Sequence, residues 1–256
     1  MVFPSAMNFF ATGGSGPRDP YWDNVTLLLD GTSVTDDLSA EDNGVNANGG
    51  VSSLSSTGPY STQGVLNFDG VDDRLAIPGF SNEGRSFGTG DFTIECWVKC
   101  ATNRSTADVG VFNAAFVPFL DNGFGDYART DENWYKLEYD FRNPNRLVRF
   151  VLSDGSTGAA TVSYNIGSTD VSEWHHVAAV RSGSTATLYY DGVDVGWITH
   201  SVDMAYSENR TLEIGHTTVT DVNRWFDGQM ADLRITKGVA RYTADFTPPT
   251  VSFPTR

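Results

Sequence analysis

The amino-acid sequence predicts an all-β fold, and three observations lead to this fold class. From Val25 onward, short runs rich in β-branched and aromatic residues recur between turn pairs such as Asp-Gly. Several runs alternate apolar and polar residues, which is the period of a strand with one buried face. No helical period extends over three turns, and no repeat of about 20 to 50 residues is visible. The length of 256 residues suits one sandwich or barrel with a substantial core.

The predicted strands follow these runs in chain order. They are placed at residues 25–29, 64–68, 74–77, 91–99, 109–115, 135–140, 148–152, 161–164, 175–181, 186–191, 193–199, 211–214 and 229–235. The clearest hairpin has Asp191-Gly192 at its turn, because both residues tolerate a positive φ and a strand-like run stands on each side. We therefore expect a tight antiparallel turn at this pair.

The run 91–99 shows the alternation most clearly. One face carries Phe92, Ile94, Cys96 and Val98, and the other carries Thr93, Glu95, Trp97 and Lys99. We expect the first face in the core and the second to be partly wet. Four residues of strand separate the Cα atoms of Cys96 and Cys100 by about 13 Å. This distance exceeds disulfide reach, so the sequence predicts two free thiols and folding in a reducing cytoplasm.

Charge and hydropathy narrow the classes of partner. Seventeen Lys and Arg against 32 Asp and Glu give a formal charge of −15, and no stretch gathers the basic residues. Nucleic acid and anionic membranes are therefore not expected as partners. The N-terminus has no basic region before its few apolar residues, and no apolar run of about 18 residues occurs. The sequence thus predicts no signal peptide and no transmembrane segment.

The two ends are expected to lie outside the sandwich. Residues 1–22 mix aromatic residues with proline and glycine and show no period, which predicts an extended arm. This arm either covers the sandwich or docks on a partner, and the pattern leaves both alternatives open. The sandwich is placed at 23–250, and residues 251–256 form a C-terminal tail.

A series of segments carries a resemblance to a known family. In order they are VTLLLD at 25–30, GVLNFDGVDDRLAIP at 64–78, GDFTIECWVK at 90–99, EWHHVAAVR at 173–181, LYYDG at 188–192, LEIG at 212–215 and FDGQMADLRITKGVARY at 226–242. The series resembles the laminin G-like branch of the concanavalin A-like lectin and glucanase superfamily over about 25–249. The resemblance implies a jelly-roll sandwich of two antiparallel sheets packed face to face.

The ending at 232–249 looks like laminin G-like domains of tailed-bacteriophage structural proteins and of large bacterial surface proteins. This likeness implies a non-enzymatic virion structural protein, a capsid decoration or fibre component. Its arm would contact other virion proteins of the capsid or tail, and it would reach the virion surface after assembly in the host cytoplasm. A homo-oligomer is left open. The alternative is a glycan-binding adhesin of a viral or bacterial surface with a cell-surface glycan as partner, and the third class is a glycan hydrolase.

The hydrolase class depends on carboxylates along one strand. The resemblance implies that enzymes of this superfamily carry their carboxylates as Glu-x-Asp-x-x-Glu or Glu-x-Asp-x-Glu on one strand. Glu138-Tyr139-Asp140 begins such a pattern. Arg142 and Asn143 stand where the third carboxylate belongs, so this strand alone cannot supply a retaining pair about 5 Å apart. We expect no catalysis and read the two carboxylates as polar residues on the wet face of a strand.

No His or Cys grouping predicts a metal site. His175 and His176 fall on opposite faces of their strand, and the remaining histidines stand singly. Calcium is the one candidate cofactor. Asp69, Asp72 and Asp73 share a turn with Gly70, and Asp232 on the last strand approaches it if the jelly roll closes as in the family. The alternative is that these residues only form a good turn.

A glycan site needs an aromatic face beside hydroxyl-binding side chains. The stretch 119–135 is the richest local source of such groups. The candidates are Asp126, Tyr127, Asn133 and Trp134. The alternative is that the aromatic residues of this stretch pack on the edge of the sandwich. Trp97, Trp174 and Trp225 coincide with core or hairpin positions of the family and are assigned no site.

Overall fold

In the computed structural model of the chain, two antiparallel β-sheets pack face to face. The structure describes residues 18–55, 58–60, 64–80, 86–102, 116–121, 133–141, 146–154, 159–201, 203–204, 211–219 and 222–254. A short 3-10 helix at Trp22–Asn24 precedes the first strand. Within these ranges, no helix combines the length and the apolar composition needed to cross a bilayer.

Seventeen strands follow one another along the described residues. They are β1 Val25–Leu29, β2 Asn46–Asn48, β3 Ser52–Ser55, β4 Gly64–Asp69, β5 Arg74–Ile77, β6 Phe92–Cys100, β7 Phe116–Asp121, β8 Asn133–Asp140, β9 Leu147–Asp154, β10 Ala160–Asn165, β11 His175–Ser182, β12 Thr185–Tyr190, β13 Val193–Thr199, β14 Leu212–Ile214, β15 His216–Val219, β16 Val222–Trp225 and β17 Asp227–Lys237. Twelve of the thirteen predicted strands coincide with these elements. The predicted strand at 109–115 lies outside the described residues.

The strands form two large sheets and one small hairpin. Sheet A has the order β13-β12-β11-β6-β17-β4-β3, and β1 also pairs with β17. Sheet B has the order β10-β9-β8-β7-β14-β5-β2, and β15 and β16 form a separate two-stranded sheet. The turn at Asp191-Gly192 joins β12 to β13 with both residues at positive φ. The all-β prediction and the two antiparallel sheets of the jelly-roll sandwich are confirmed.

The core lies between sheets A and B and takes one face from each. The apolar face of β6 is fully buried there, together with Tyr135, Leu137 and Tyr139 of β8. Phe92 stacks on Phe87 with ring centroids 4.2 Å apart. The sulfur atoms of Cys96 and Cys100 belong to this core and are free thiols, as predicted.

The outer face of sheet A is covered over most of its centre, so the outer face of β6 is wet only at one end. Residues 238–254, here called the C-terminal strap, run across it. Tyr242 and Phe246 of the strap pack on Tyr189 of β12. Thr93 and Glu95 of β6 are consequently fully buried. Only Trp97 and Lys99, nearer the end of β6, keep partial exposure.

Both chain ends contribute contacts to the sandwich within the described residues. Asp19 accepts hydrogen bonds from Arg234 at 2.9 Å and from Arg241 at 2.8 and 3.0 Å. Phe253 is buried beside Val25, and the Arg234 guanidinium lies 3.5 Å from its ring centroid. The folded unit therefore reaches at least from residue 19 to residue 253. The domain boundaries expected at 22 and 250 lie within this range and stay a prediction.

Candidate functional site

Two carboxylates stand on the outer face of sheet B, where hydrolytic chemistry would be sought. Glu138 and Asp140 point away from the core because they alternate with Leu137 and Tyr139 along β8. Glu138 is fully buried, and Asp140 is 2% exposed. The expectation that they occupy a wet face is therefore wrong.

Arg149 of the neighbouring strand β9 binds both carboxylates. The register places Arg149 opposite Glu138, and its guanidinium forms a hydrogen-bonded ion pair with Glu138 Oε1. A second guanidinium nitrogen, Nη1, lies 3.0 Å from Asp140 Oδ2. A retaining glycosidase needs one carboxyl as proton donor and a second as free nucleophile. The half-buried Arg149 guanidinium instead contacts both carboxylates, so neither stands apart as a nucleophile without a cationic partner.

Beside this cluster, sheet B has an open groove at the edge formed by β14, β5 and β2. The groove has a volume of about 630 Å³, and polar side chains that line it are Thr35, Asn46, Asn48, Arg74, Thr211 and Glu213. The Nε of Arg74 lies 3.5 Å from Glu213 Oε2. Amides, a guanidinium, a carboxylate and hydroxyls supply donors and acceptors for a ligand rich in hydroxyl groups. We call this surface the sheet-B groove.

A histidine and a tryptophan adjoin Glu213. His216 Nδ1 lies 3.6 Å from Glu213 Oε2, and the imidazole lies against Trp225 with ring centroids 4.1 Å apart. His216 follows Glu213 by three residues, at the junction between β14 and the β15–β16 hairpin. The hairpin thereby links the groove to the buried part of the outer face, where Lys136 Nζ donates to Thr217 Oγ1 at 3.1 Å.

The sequence did not predict the sheet-B groove. Strands were predicted at 74–77 and 211–214, and their alternation already places Arg74 and Glu213 opposite the core face. The two strands are far apart in sequence. Only the pairing of Glu213 with Ala76 across β14 and β5 brings the two charged side chains together.

The acidic turn has three of its four predicted residues together. One carboxylate oxygen from each of Asp69, Asp72 and Asp73 lies within 4.8 Å of the others. Asp73 is buried and accepts hydrogen bonds from the backbone N–H groups of Gly50 and Asp69. The turn itself therefore uses Asp73, whereas Asp72 is exposed. Three oxygens at this spacing fit part of a calcium coordination sphere, and calcium binding stays a prediction.

Asp232 does not join this turn. The register of β17 places Asp227 opposite Asp69, and Asp232 follows five residues later, about 16 Å along the strand. Its carboxylate instead accepts the N–H of Phe253 at 3.3 Å. Burial and the charge of Asp232 raise the pKa of the neighbouring Tyr60 phenol well above its ordinary value. Asp232 thus fixes the C-terminal strap on sheet A.

The four predicted glycan-binding residues are only partly within the described residues. Asp126 and Tyr127 lie outside them, and Asn133 begins β8 with a side chain that is not described. Trp134 is 3% exposed on the outer face of sheet B. A ring so covered offers no face for stacking on a sugar, so a role for Trp134 requires the covering segments to move.

Comparison with known proteins places the chain among lectin-like folds. A family model described as the concanavalin A-like lectin/glucanases superfamily matches residues 69–241. No curated protein sequence is significantly similar to the chain.

Solved structures share the fold at low sequence identity. The binding domain of Paraclostridial mosquitocidal protein 1 aligns with a TM-score of 0.61 and 15% identity over 87% of this chain and 50% of that chain. Botulinum neurotoxin type C, described as entering cells through interaction with two ganglioside molecules, aligns with a TM-score of 0.60 and 15% identity. The alignment covers 86% of this chain and 49% of that chain. Domain 4 of an extracellular arabinanase from Geobacillus stearothermophilus, in complex with arabinotriose, aligns with a TM-score of 0.58 and 14% identity. The alignment covers 85% of this chain and 94% of that chain. The chain spans about half the length of the two toxin chains, and these identities show the fold alone.

Proposed function

We propose, from the premise that the chain belongs to the concanavalin A-like lectin/glucanase superfamily, that it is a non-catalytic domain that binds glycans. The observation that carries the proposal is the pairing of Glu138 and Asp140 with Arg149. The carboxylates that begin the hydrolytic pattern are buried, and both are paired with one guanidinium. The same sheet has an open groove, the sheet-B groove, whose polar side chains can bind a ligand. Fold and site together therefore favour binding over turnover.

The solved structures support a binding role by fold alone. They include the binding domain of a toxin and an arabinanase domain in complex with arabinotriose. A shared fold does not determine the ligand. Binding of a glycan by this chain is therefore a hypothesis that the fold supports. The sheet-B groove is the surface proposed to hold the glycan.

A glycan array probed with the full chain tests the proposal. We expect binding to a subset of glycans, and we expect Glu213→Gln to weaken it about tenfold because a charge-assisted hydrogen bond is lost. Glu173→Gln is the matched control, since Glu173 is exposed and lies outside the groove. Measured turnover of β-glucan or arabinan by the full chain would overturn the non-catalytic assignment.

A second proposal concerns the setting of the domain: a virion structural protein, as a capsid decoration or fibre component. It is supported by the likeness of the segment at 232–249 to tailed-phage structural proteins and by the arm-like composition of residues 1–17. The arm is proposed to contact other virion proteins while the sandwich is displayed outward.

Deletion of residues 1–17 tests this setting. The deletion spares Asp19, whose ion pairs with Arg234 and Arg241 join it to the sandwich. We expect the shortened chain to fold, with an unchanged circular dichroism spectrum, and to be absent from particles analysed by mass spectrometry. Normal incorporation into particles would refute attachment through the arm.

A further inference from the structure

Trp197 on the edge strand β13 is unusually exposed. Its exposed fraction is 62%, whereas the other five tryptophans, all within the described residues, are buried or half-buried. A single exposed apolar side chain needs no explanation by itself. Trp197, however, borders a second groove, on the outer face of sheet A and thus on the opposite side of the sandwich from the sheet-B groove.

This second groove is lined mainly by hydroxyl groups. Its volume is about 310 Å³, at the lower end of the roughly 300–1,000 Å³ of small-ligand sites. Beside Trp197 stand Ser182, Thr185, Thr187, Asp194 and Thr243. The register places Thr187 directly opposite Trp197, and Asp194 opposite Tyr189. We call this surface the Trp197 groove.

The Trp197 groove is built in advance of any ligand. Asp194 Oδ1 accepts the N–H of Gly196 at 3.0 Å, and the N–H of Asp194 donates to Asp245 Oδ1 of the C-terminal strap at 2.8 Å. On the opposite rim, Tyr242 stacks on Phe246 with ring centroids 3.6 Å apart. These contacts hold the rim in place, so binding of a ligand would cost little free energy for ordering the rim.

We propose that the Trp197 groove binds a neutral pyranose unit of a glycan. The indole face of Trp197 stacks on the apolar C–H face of the sugar, and the threonine hydroxyls and the Asp194 carboxylate bind its hydroxyl groups. The inference rests on the proposed glycan-binding function, and it adds a separate site with a stated ligand class.

Charge decides between neutral and acidic sugars. Asp194 lines the groove, Asp245 accepts a hydrogen bond from the backbone N–H of Asp194, and the whole chain carries a formal charge of −15. Burial is the main cause of the raised pKa of Tyr189, and the negative charges of Asp194 and Asp245 raise it further. A sialic acid carboxylate would be repelled there, so the site selects uncharged sugars.

An organic cation is the competing ligand, since a cation also favours an aromatic face and a carboxylate. Recognition of a cation uses several aromatic faces around one charge. In the Trp197 groove, Tyr189 is 2% exposed, and the Tyr242 hydroxyl donates to the buried Glu95 at 2.7 Å. Trp197 is the one largely exposed ring among the lining residues, and the hydroxyl groups around it fit a sugar better than a cation.

The experiment titrates the full chain with neutral methyl glycosides, methyl sialoside and tetramethylammonium at millimolar concentration, followed by tryptophan fluorescence and by ¹H–¹⁵N indole signals. We expect a neutral glycoside to perturb Trp197, and Trp197→Ala to weaken its binding about tenfold or more. Trp197→Phe should keep part of the affinity, because an aromatic face remains. Tyr21→Ala is the control for loss of an exposed aromatic side chain elsewhere, with 43% of Tyr21 exposed.

The outcomes separate this inference from the proposed function. If Glu213→Gln abolishes binding of a neutral glycan and Trp197→Ala does not, the chain binds glycans without the Trp197 groove, and the inference fails alone. Selective binding of sialoside or tetramethylammonium also overturns it. Loss of neutral-sugar binding in Trp197→Ala, with Glu213→Gln unchanged and both variants folded by circular dichroism, supports it.

Discussion

Glu95 shows how one buried charge can hold two segments on a sheet. It is fully buried on β6 and accepts hydrogen bonds from Arg234 at 2.7 and 3.0 Å and from Tyr242 at 2.7 Å. Burial alone would raise the pKa of Glu95, but the charge of Arg234 and the hydrogen bonds from His176 and Tyr242 outweigh it and lower the pKa to about 2. The ionised form is therefore part of the folded structure.

The lowered pKa of Glu95 predicts an acid limit to stability. A depressed carboxyl pKa stabilises the folded state above the ordinary value of 4.5, and the contribution is lost as the pH falls from 4.5 toward 2. On the order of 3 kcal/mol of the free energy of unfolding should disappear over this window. Urea unfolding followed at several pH values from 7 to 2 measures it.

Glu95→Gln is the matched variant for this prediction. It keeps the size of the side chain and removes the charge that faces Arg234. At pH 7 we expect it to be less stable than the wild type by about 3 kcal/mol, since a buried ion pair loses one member. Its stability should also fall less steeply with acid, and an acid dependence as steep as that of the wild type would assign the effect to other carboxylates.

Calcium binding at the acidic turn is a separate prediction at the residue scale. Asp72→Asn removes one charge without removing the hydrogen bonds that Asp73 accepts from Gly50 and Asp69. We expect CaCl₂ to raise the thermal unfolding midpoint of the wild type and EDTA to reverse the rise, because an ion that binds only the folded state stabilises it. The rise should be absent in Asp72→Asn. An equal rise in both proteins would place the ion elsewhere.

Among the elements, the strands with strong periodicity were the predictable ones. The runs that became β6, β11 and β12 are rich in apolar, β-branched and aromatic residues, and their limits agree with the prediction within one residue. The strands β2 and β3 were missed because Asn46–Asn48 and Ser52–Ser55 have little intrinsic preference for strands. Pairing with β5 and β4 makes them strands.

Strand β7 was missed for a different reason. Pro118 lies inside Phe116–Asp121, and a proline within an apolar run argues against a central strand because it cannot donate a ladder hydrogen bond. In the structure the register between β7 and β8 shifts between Pro118 and Leu120, which marks an irregularity of the kind that accommodates proline. Residues 119–121 of the predicted glycan-binding stretch are therefore part of sheet B.

The β12–β13 hairpin gives a prediction at the element scale. Gly192 has a φ of +80°, and a Cβ there would lie 2.0 Å from the carbonyl oxygen of Phe246 in the C-terminal strap. Gly192→Ala should therefore lower the free energy of unfolding by more than 2 kcal/mol, roughly the upper range for backbone strain. Chemical denaturation measures the loss.

Gly183 provides the matched control for this substitution. It lies in the β11–β12 turn with a φ of +58°, but nothing stands within 4 Å of the position of an added Cβ. Gly183→Ala should therefore cost only about 1 kcal/mol for the unfavourable φ. Equal losses for the two variants would mean that the contact of the strap with the turn is unimportant.

At the scale of the whole molecule, the C-terminal strap completes sheet A. It contributes Arg241, which binds Asp19, and Tyr242, which binds Glu95. It also contributes Phe253, which packs beside Leu28. The strap joins both ends of the described chain to the outer face of one sheet.

Truncation after Lys237 should therefore prevent stable folding, since it exposes the buried Glu95 and the apolar surface around Tyr189. Truncation after Phe253 is the control, because it keeps the described contacts of the strap. Circular dichroism and thermal unfolding of the two proteins measure the difference. A cooperative unfolding transition at the wild-type temperature in the protein truncated after Lys237 would show that the strap is dispensable.

The sequence by itself determined the all-β class, the positions of the long strands and the core face of β6, because strand periodicity is a local property. It also determined that the carboxylate pattern at Glu138 is incomplete. The tertiary structure alone decided which outer faces are covered. Glu95, Glu138 and Trp134 are buried and Trp197 is exposed, although all four stand in similar alternating runs. The physical reason is that coverage of an outer face depends on pairing and packing with segments distant in the chain, such as β9 and the strap.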